Sequence, residues 1–220
     1  MTGDDHHPDP GPERLHTEHG IERKAQLLRA AEQLFTQKGY AATRISDICA
    51  AAGVAKGLFY WYFPTKESLF AELVRTMRHQ LRRAQAAAMR VDDDPVMRLR
   101  QGTEASVRFM AEHQTYFALL DVERTDDVLA SVMREGSDVY AADVRRLIIE
   151  AQQQGVVPDG DPAFYVVGVL GAVSSFGHAH RSGRLRMPID DLARLVGEWV
   201  TQAVAGRSPL PSPGGDATSL

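Results

Sequence analysis

The apolar residues between positions 21 and 69 recur every three or four residues, and short breaks divide them into successive helices. The first helix is predicted from about Ile21 to Gly39. The second is predicted to begin at Thr43, whose hydroxyl can cap the free backbone N–H groups of its first turn. Gly53 is predicted to end it, since glycine readily adopts the left-handed conformation of a helix end. The pattern therefore indicates three successive helices, with a glycine turn between the second and the third.

The third helix is predicted from the sequence AKGLFYWYF at residues 55–63, and Pro64 ends it because proline disfavours helical geometry in the preceding residue. Phe59 and Phe63 are four residues apart, so both can face a core. A single apolar face cannot bury every member of a run of consecutive aromatic residues, so some of them must be exposed. The outward positions of this helix are Lys56, Gly57, Tyr60, Trp61 and Tyr62.

Two helices joined by a glycine turn, the second presenting lysine, glycine and phenol groups, form a helix-turn-helix that can read a DNA major groove. Gly57 permits close approach of a sugar-phosphate backbone, because no side chain intervenes. Phenol groups can bond to phosphates or base edges, and a lysine neutralises phosphate charge. The alternative is that the aromatic residues simply form a core.

The segments Thr43–Ile48 and GVAKGLFYWYFPTKESLF, residues 53–70, resemble the N-terminal domain of TetR-family transcriptional regulators. The resemblance implies an all-α homodimer with an N-terminal three-helix, helix-turn-helix DNA-binding domain. A C-terminal helical domain would then provide ligand sensing and dimerisation. It also implies a protein that usually represses transcription and leaves a palindromic operator in double-stranded DNA when a small effector binds.

Carried over position by position, the resemblance assigns phosphate contacts to the start of the second helix and base contacts to the third. Lys66 would hold a phosphate at the start of the fourth helix. Ala55 departs from the family, which often has a capping serine there, at a cost of about 1 kcal/mol to the short helix. Leu58 replaces a polar residue and would read an apolar feature such as a thymine methyl. The implied DNA-binding residues are Thr43, Arg44, Lys56, Gly57, Leu58, Tyr60, Trp61, Tyr62 and Lys66.

The charge distribution agrees with a DNA-binding segment, although the whole chain has a formal charge of −4. Residues 21–90 contain 12 Lys/Arg and 5 Asp/Glu, a net charge of +7. Residues 91–206 contain 11 Lys/Arg and 18 Asp/Glu, a net charge of −7. A basic module joined to an acidic one is typical of a DNA-binding head on a body that does not bind DNA.

The predicted domains are a disordered arm at residues 1–20, the DNA-binding domain at 21–68, the effector-binding and dimerisation domain at 69–204, and a disordered tail at 205–220. The arm and tail are polar and contain Pro and Gly. Cys49 is the only cysteine, so no internal disulfide can form, which fits a cytoplasmic location. No apolar run approaches the ~20 residues of a membrane span, so no membrane partner is expected. Helices are predicted at about 65–89, 95–113, 115–123, 126–154, 161–181 and 189–204.

The helix predicted at 161–181 contains GVLGAVSSFG, and glycine is a poor helix former, so these residues suggest close approach to another helix. With the last helix it can pack against its symmetry mates as a four-helix bundle, and the resemblance places the dimer contact on these same two helices. The alternative is an ordinary core within one chain. The candidate interface residues are Gly168, Gly171, Ser175, Leu192, Leu195, Val196 and Trp199.

An effector pocket is predicted between body helices, where a mostly apolar cavity would suit a small hydrophobic ligand, unless these residues are simply core. Its candidate residues are Phe109, Met110, His113, Tyr116, Phe117, Leu120, Phe164, Phe176 and His178.

No cofactor, metal site or enzyme activity is expected, because the sequence contains no nucleophile elbow, phosphate loop, zinc motif or nucleotide fingerprint. The competing interpretations are an activator of the same architecture, or a helical small-molecule-binding or adaptor protein with a non-functional head.

Overall fold

The computed structural model describes residues 12–122 and 127–206, and side chains from Gly20 to Leu120 and from Tyr140 to Gly206. All regular elements in these ranges are helices, which confirms the predicted all-α class. The helices are α1 Pro12–Lys38, α2 Ile45–Ala52, α3 Lys56–Tyr62, α4 Lys66–Ala88, α5 Pro95–Glu112, α6 Gln114–Val122, α7 Asp127–Gln153, α8 Pro162–Arg181 and α9 Ile189–Ala205.

The chain divides into two compact units, which we call the head (Met1–Leu73) and the body (Val74–Leu220). The division falls inside α4, a few residues beyond the boundary predicted between residues 68 and 69. A boundary within a continuous helix leaves no break in composition, and this explains why the sequence pattern placed it elsewhere.

Helix α1 begins at Pro12, so residues 12–20 are helical and the prediction that they belong to a disordered arm was wrong. Proline is well tolerated in the first turn of a helix, where its missing N–H has no intrahelical partner anyway. Ile21 is 70% exposed, and the buried side of the helix is formed instead by Leu27, Ala31 and Phe35. The predicted arm at 1–11 and tail at 207–220 lie outside the described residues.

The head is held together by a small aromatic core. α1 packs on α2, and α2 packs on α3. The rings of Phe35, Tyr40 and Phe70 have centroids 5.1 to 6.0 Å apart in tilted or edge-on arrangements, which are favourable geometries for aromatic pairs. Phe59 and Phe63 are also buried, with centroids 5.9 Å apart. The predicted inward positions of α3 are thus part of the core that positions it.

The body is built around α5, which packs against α6, α7, α8 and α9. Aspartate caps begin α5 and α8: Asp94 accepts the N–H groups of Val96 and Met97, and Asp161 accepts that of Ala163. The five predicted body helices match the observed ones to within one or two residues at each end. The core residues from these helices include Leu99, Val107, Ile148, Val169, Leu192 and Val200.

Within the described residues, α8 is the one helix long and apolar enough to cross a membrane by length and composition. The expectation that no apolar run approaches this length overlooked it, because Gly, Ser and His residues interrupt its apolar sequence. The core helix of a water-exposed domain passes the same test. Residues that place α8 in the body core are Tyr165, Val166, Val169, Ala172, Val173 and Gly177.

Gly53→Ala tests the turn between α2 and α3. Gly53 has φ +65°, a conformation that is unfavourable for residues with a Cβ, so the variant is expected to lose about 1–2 kcal/mol of unfolding free energy. Gly57→Ala is the matched control, because a Cβ at Gly57 meets no atom within 4 Å. This control is expected to be neutral or to gain up to about 1 kcal/mol. Urea unfolding followed by circular dichroism measures both, and equal losses would show that the positive φ is not the cause.

Candidate DNA-binding surface

Helices α2 and α3 are joined by a turn whose geometry is fixed by backbone hydrogen bonds. The N–H of Gly53 donates to the carbonyl of Ala50 at 3.2 Å, and the N–H of Val54 donates to the carbonyl of Cys49 at 3.0 Å. These bonds satisfy carbonyls that the end of α2 would otherwise leave free. The turn is therefore short and defined, as a helix-turn-helix requires.

Helix α3 presents its aromatic residues on two opposite sides. Phe59 and Phe63 are buried, whereas Tyr60 is 54% exposed and Trp61 is 74% exposed. The Trp61 ring lies edge-on to the ring of Tyr62, with centroids 4.5 Å apart. The exposed side therefore carries the indole of Trp61 and the phenol of Tyr60, whereas Tyr62 is half-buried.

The first turn of α3 leaves the backbone open to an external partner. Lys56 and Gly57 are both exposed, and Leu58 is half-buried. A Cβ at Gly57 would meet no atom of the protein within 4 Å, so the packing of the head does not require glycine there. Ala55 precedes the helix without a side-chain cap, as its sequence predicts.

Thr43 does not have the role that the sequence suggested. Its side chain is 1% exposed, and its hydroxyl donates to the carbonyls of Gly39 at 2.7 Å and Leu34 at 3.3 Å. The hydroxyl therefore binds the end of α1 and neither caps α2 nor reaches a phosphate. Arg44 is the residue before α2, and its N–H donates to the carboxylate of Asp47 at 3.2 Å.

Lys66 is held inside the head by contacts that the sequence did not indicate. Its ammonium donates to the carbonyls of Tyr40 at 2.8 Å and Thr43 at 3.0 Å, and lies 4.1 Å from the centre of the Tyr40 ring. An ammonium has three N–H donors, so one remains for a phosphate. Lys66 thus fastens the start of α4 to the segment between α1 and α2.

The predicted effector-pocket residues are mostly packed against one another between α5, α6 and α8. Phe109, Met110 and Tyr116 are buried, and Phe109 lies 4.2 Å from His113 and 6.3 Å from Phe117 between ring centroids. Phe164 is exposed near the start of α8, whereas Met110 and Phe117 lie against the end of that helix, next to Gly177 and Arg181 respectively. Leu120 is half-buried, and Phe176 and His178 line an open groove with Ser174, Ser175, Ala179, Arg184 and Leu185.

The candidate interface residues divide into two groups. Leu192 and Val196 are 2% and 1% exposed and belong to the core of the body, so they cannot supply surface to a partner. On α9 the exposed members are Leu195 and Trp199. Gly168, Gly171 and Ser175 are exposed on α8, and a Cβ at either glycine meets nothing within 4 Å.

A polar cluster in the body was missed by the sequence interpretation. It contains Gln85 of α4, Thr103 and Ser106 of α5, and Tyr140 of α7, next to a cavity of about 140 Å³. A signal was present in the sequence, because Gln85 continues the four-residue repeat of apolar positions in α4, and Thr103 lies between Leu99 and Val107 in α5. A polar residue at a core position of a helix is unusual.

The fold and this surface define a helix-turn-helix DNA-binding head on a helical body. The description "Bacterial regulatory proteins, tetR family" matches residues 27–73, and "Tetracyclin repressor-like, C-terminal domain" matches residues 92–201. The chain belongs to the TetR family and is a transcriptional regulator with a helix-turn-helix DNA-binding domain.

Relatives agree with this assignment. The HTH-type transcriptional regulator YhgD of Bacillus subtilis is 30% identical over 129 residues, 58% of this chain and 60% of YhgD. The HTH-type transcriptional repressor DhaR of Mycobacterium sp. is 25% identical over 183 residues, 80% of this chain and 90% of DhaR. The structure of FadR from Bacillus subtilis in complex with stearoyl-CoA shares the fold, with a TM-score of 0.73, 19% identity and coverage of 82% and 98% of the two chains.

The ion pair between Lys38 and Asp47 joins α1 to α2 and predicts a pH dependence of stability. The hydrogen bond from Lys38 and then that from the Arg44 N–H lower the pKa of the Asp47 carboxyl. A lowered pKa means that the stabilisation is present above about pH 4, the ordinary value, and is lost as the pH falls through the lower folded value. Asp47→Asn is therefore expected to reduce the fall in unfolding midpoint between pH 6 and pH 3.

The exposed Asp159→Asn is the control for removal of one negative charge. Thermal unfolding measures the unfolding midpoint of each protein as a function of pH. If the midpoint of Asp47→Asn falls as steeply as that of wild type, this would contradict a role for the ion pair.

Proposed function

We propose that this chain is an effector-releasable repressor that binds a palindromic operator as a homodimer in the cytoplasm. The observation that supports this most directly is the exposed side of α3, which carries Lys56, Gly57, Tyr60 and Trp61. The opposite side of this helix is buried in the core of the head. The similarity to DhaR, which is named a repressor, agrees with the direction of regulation.

In the proposed complex, α3 enters the major groove with its first turn towards the bases. The open backbone at Gly57 permits close approach, and Lys56 neutralises a phosphate or bonds to a guanine edge. Tyr60, Trp61 and Tyr62 contact bases or phosphates, and Arg44 contacts a phosphate at the start of α2. The Thr43 side chain is left out because it is buried, and Lys66 contributes its remaining N–H.

The proposed dimer uses the exposed apolar side of α8 and α9. Val167 is 71% exposed and Trp199 is 50% exposed, and Phe164 and Leu195 are exposed beside them on the same two helices. Large exposed apolar patches on a soluble domain mark interaction surfaces. A two-fold contact of this patch with itself would provide two heads for the two half-sites of a palindrome. The open space at Gly168 and Gly171 would admit the partner's helix.

The proposed release acts through α4, because this one continuous helix carries residues of the head and of the body. An effector that binds the body more tightly in one conformation favours that conformation. If the operator is bound by the other conformation of the body, effector binding lowers the affinity for DNA and DNA binding lowers the affinity for the effector by the same factor. The coupling free energy is typically about 1–3 kcal/mol.

Three variants of α3 test DNA binding. Tyr60→Ala and Lys56→Ala are expected to lower affinity for DNA from upstream of the chain's own gene at least tenfold, since each removes a contact. Gly57→Ala is expected to do the same by steric hindrance without loss of helicity. Lys56→Ala should also reduce the slope of log affinity against log salt by about 1.

Arg186→Ala, an exposed cation of the body, is the charge control and should bind DNA as wild type does. Fluorescence anisotropy at several salt concentrations measures binding. Unchanged affinity in the three α3 variants would refute the assigned surface, and would favour an adaptor protein with a non-functional head.

Leu195→Glu tests the dimer. A carboxylate at an exposed position of the apolar patch would be buried without a partner in a dimer, so the variant is expected to be monomeric and to lose operator binding. Gln153→Glu, exposed on α7, adds the same charge elsewhere. Sedimentation velocity measures both, and a dimeric Leu195→Glu variant would exclude this patch as the interface.

A further inference from the structure

The cavity of about 140 Å³ in the body lies between α4, α5 and α7, away from the pocket residues that the sequence suggested. Its wall is mostly apolar and includes Met89, Leu99, Val144 and Leu147. Gln85, Thr103 and Tyr140 add polar groups to this wall. An apolar cavity with a few polar groups is the usual form of a small-molecule site.

The hydrogen bonds of the cluster fix the roles of its donors. The Ser106 hydroxyl donates its one proton to the carbonyl of Gly102 at 2.7 Å. It therefore accepts from the amide of Gln85 at 2.8 Å and from the hydroxyl of Tyr140 at 3.2 Å. The one donor and both acceptor lone pairs of the Ser106 hydroxyl are thus occupied, and its bonds orient Gln85 and Tyr140.

Thr103 is the exception in this cluster. Its side chain is 1% exposed and lines the cavity, and its hydroxyl has no hydrogen-bond partner among the residues that the structure describes. A helical threonine commonly donates to the carbonyl four residues earlier, as Thr201 does to Gly197 at 2.8 Å. A buried hydroxyl without a partner is destabilising, so its presence beside a cavity indicates a partner that is supplied from outside.

Three charged side chains, Arg82, Asp143 and Arg146, also line the cavity, and none of them is buried. Arg82 and Asp143 pair with each other at 2.9 Å, and Arg146 is exposed. The inner groups are a threonine, a serine, an amide and a phenol. Burial raises the pKa of the Tyr140 hydroxyl, so this phenol is neutral at pH 7. These buried polar groups are uncharged, so an ionised ligand group placed among them would be buried without a counter-charge, which is strongly unfavourable.

We infer that this cavity binds a neutral compound about the size of one benzene ring, whose hydroxyl or carbonyl group pairs with the hydroxyl of Thr103. The inference rests on the proposed effector-responsive function, because it names the chemical class of the effector. An apolar cavity of about 150 Å³ holds benzene, whereas drug-sized ligands need about 300–1,000 Å³. A long acyl chain such as that of the stearoyl-CoA bound to FadR exceeds this space.

Calorimetric titration of the full-length protein with small compounds tests the size, polarity and charge of the ligand that the cavity accepts. Phenol is the probe. Phenol is expected to bind, and benzene, which lacks the hydroxyl, at least tenfold more weakly. Benzoate, with the same ring but a charge, is expected not to bind. Failure of phenol to bind, as in a cavity that holds only water, would overturn the inference. Equal affinity for benzene and phenol, or tighter binding of stearoyl-CoA at this site, would overturn it as well.

Thr103→Val locates the site, because valine keeps the shape of threonine and removes the hydroxyl. The variant is expected to bind phenol at least tenfold more weakly and to have a higher thermal midpoint than wild type. Thr103→Ser keeps the hydroxyl and should keep phenol binding. Thr201→Val is the matched control, since its hydroxyl is already bonded, and it should leave phenol binding unchanged. Phenol binding that Thr103→Val does not weaken would overturn the inference.

Operator binding with and without phenol separates this inference from the proposed function. Phenol binding that depends on Thr103 but does not release DNA supports the cavity assignment and contradicts effector release. Operator binding by a protein that does not bind phenol overturns the cavity assignment alone.

Discussion

The insertion of Phe59 and Phe63 into the core of the head is the interaction on which the DNA-binding surface depends. Helix α3 has only seven residues and no side-chain cap, so it is too short to be stable in isolation. Its two buried rings hold it in place, and the rotation of about 100° per residue then directs Tyr60 and Trp61 outwards. The exposure of these rings follows from the burial of their neighbours.

A second constraint comes from the residues around the start of α2 and α4. Lys66 and Thr43 both bind backbone carbonyls near the end of α1, and Lys38 pairs with Asp47 of α2. These contacts fix the three helices that support α3. Residues of a DNA-binding motif can thus serve mainly to position the surface, and their residue type alone does not separate that role from contact with phosphate.

The sequence predicted the helices and the outward side of α3 well, because periodicity, Gly53 and Pro64 are local signals. It did not predict that α1 begins at Pro12, since a polar segment of low hydrophobicity resembles an arm until it is seen to continue a helix. The direction of the Thr43 hydroxyl also depends on tertiary structure. On α9, apolar residues on both sides of the helix made Leu192 and Leu195 equivalent in sequence, and only packing against α5 separates them.

The polar cluster of the body shows how a position unfavourable for stability can indicate function. A core selected only for stability would continue the apolar repeat of α4 at Gln85 and would place valine at Thr103, since either change removes a polar group from the interior. Gln85 and Tyr140 are satisfied through Ser106, so their burial carries little net penalty. Thr103 is not satisfied among the described residues, and the cavity beside it provides the space in which a ligand group could pair with it. Gln85 lies on α4, the helix that also carries Lys66 of the head, so one wall of this cavity belongs to an element that both units share.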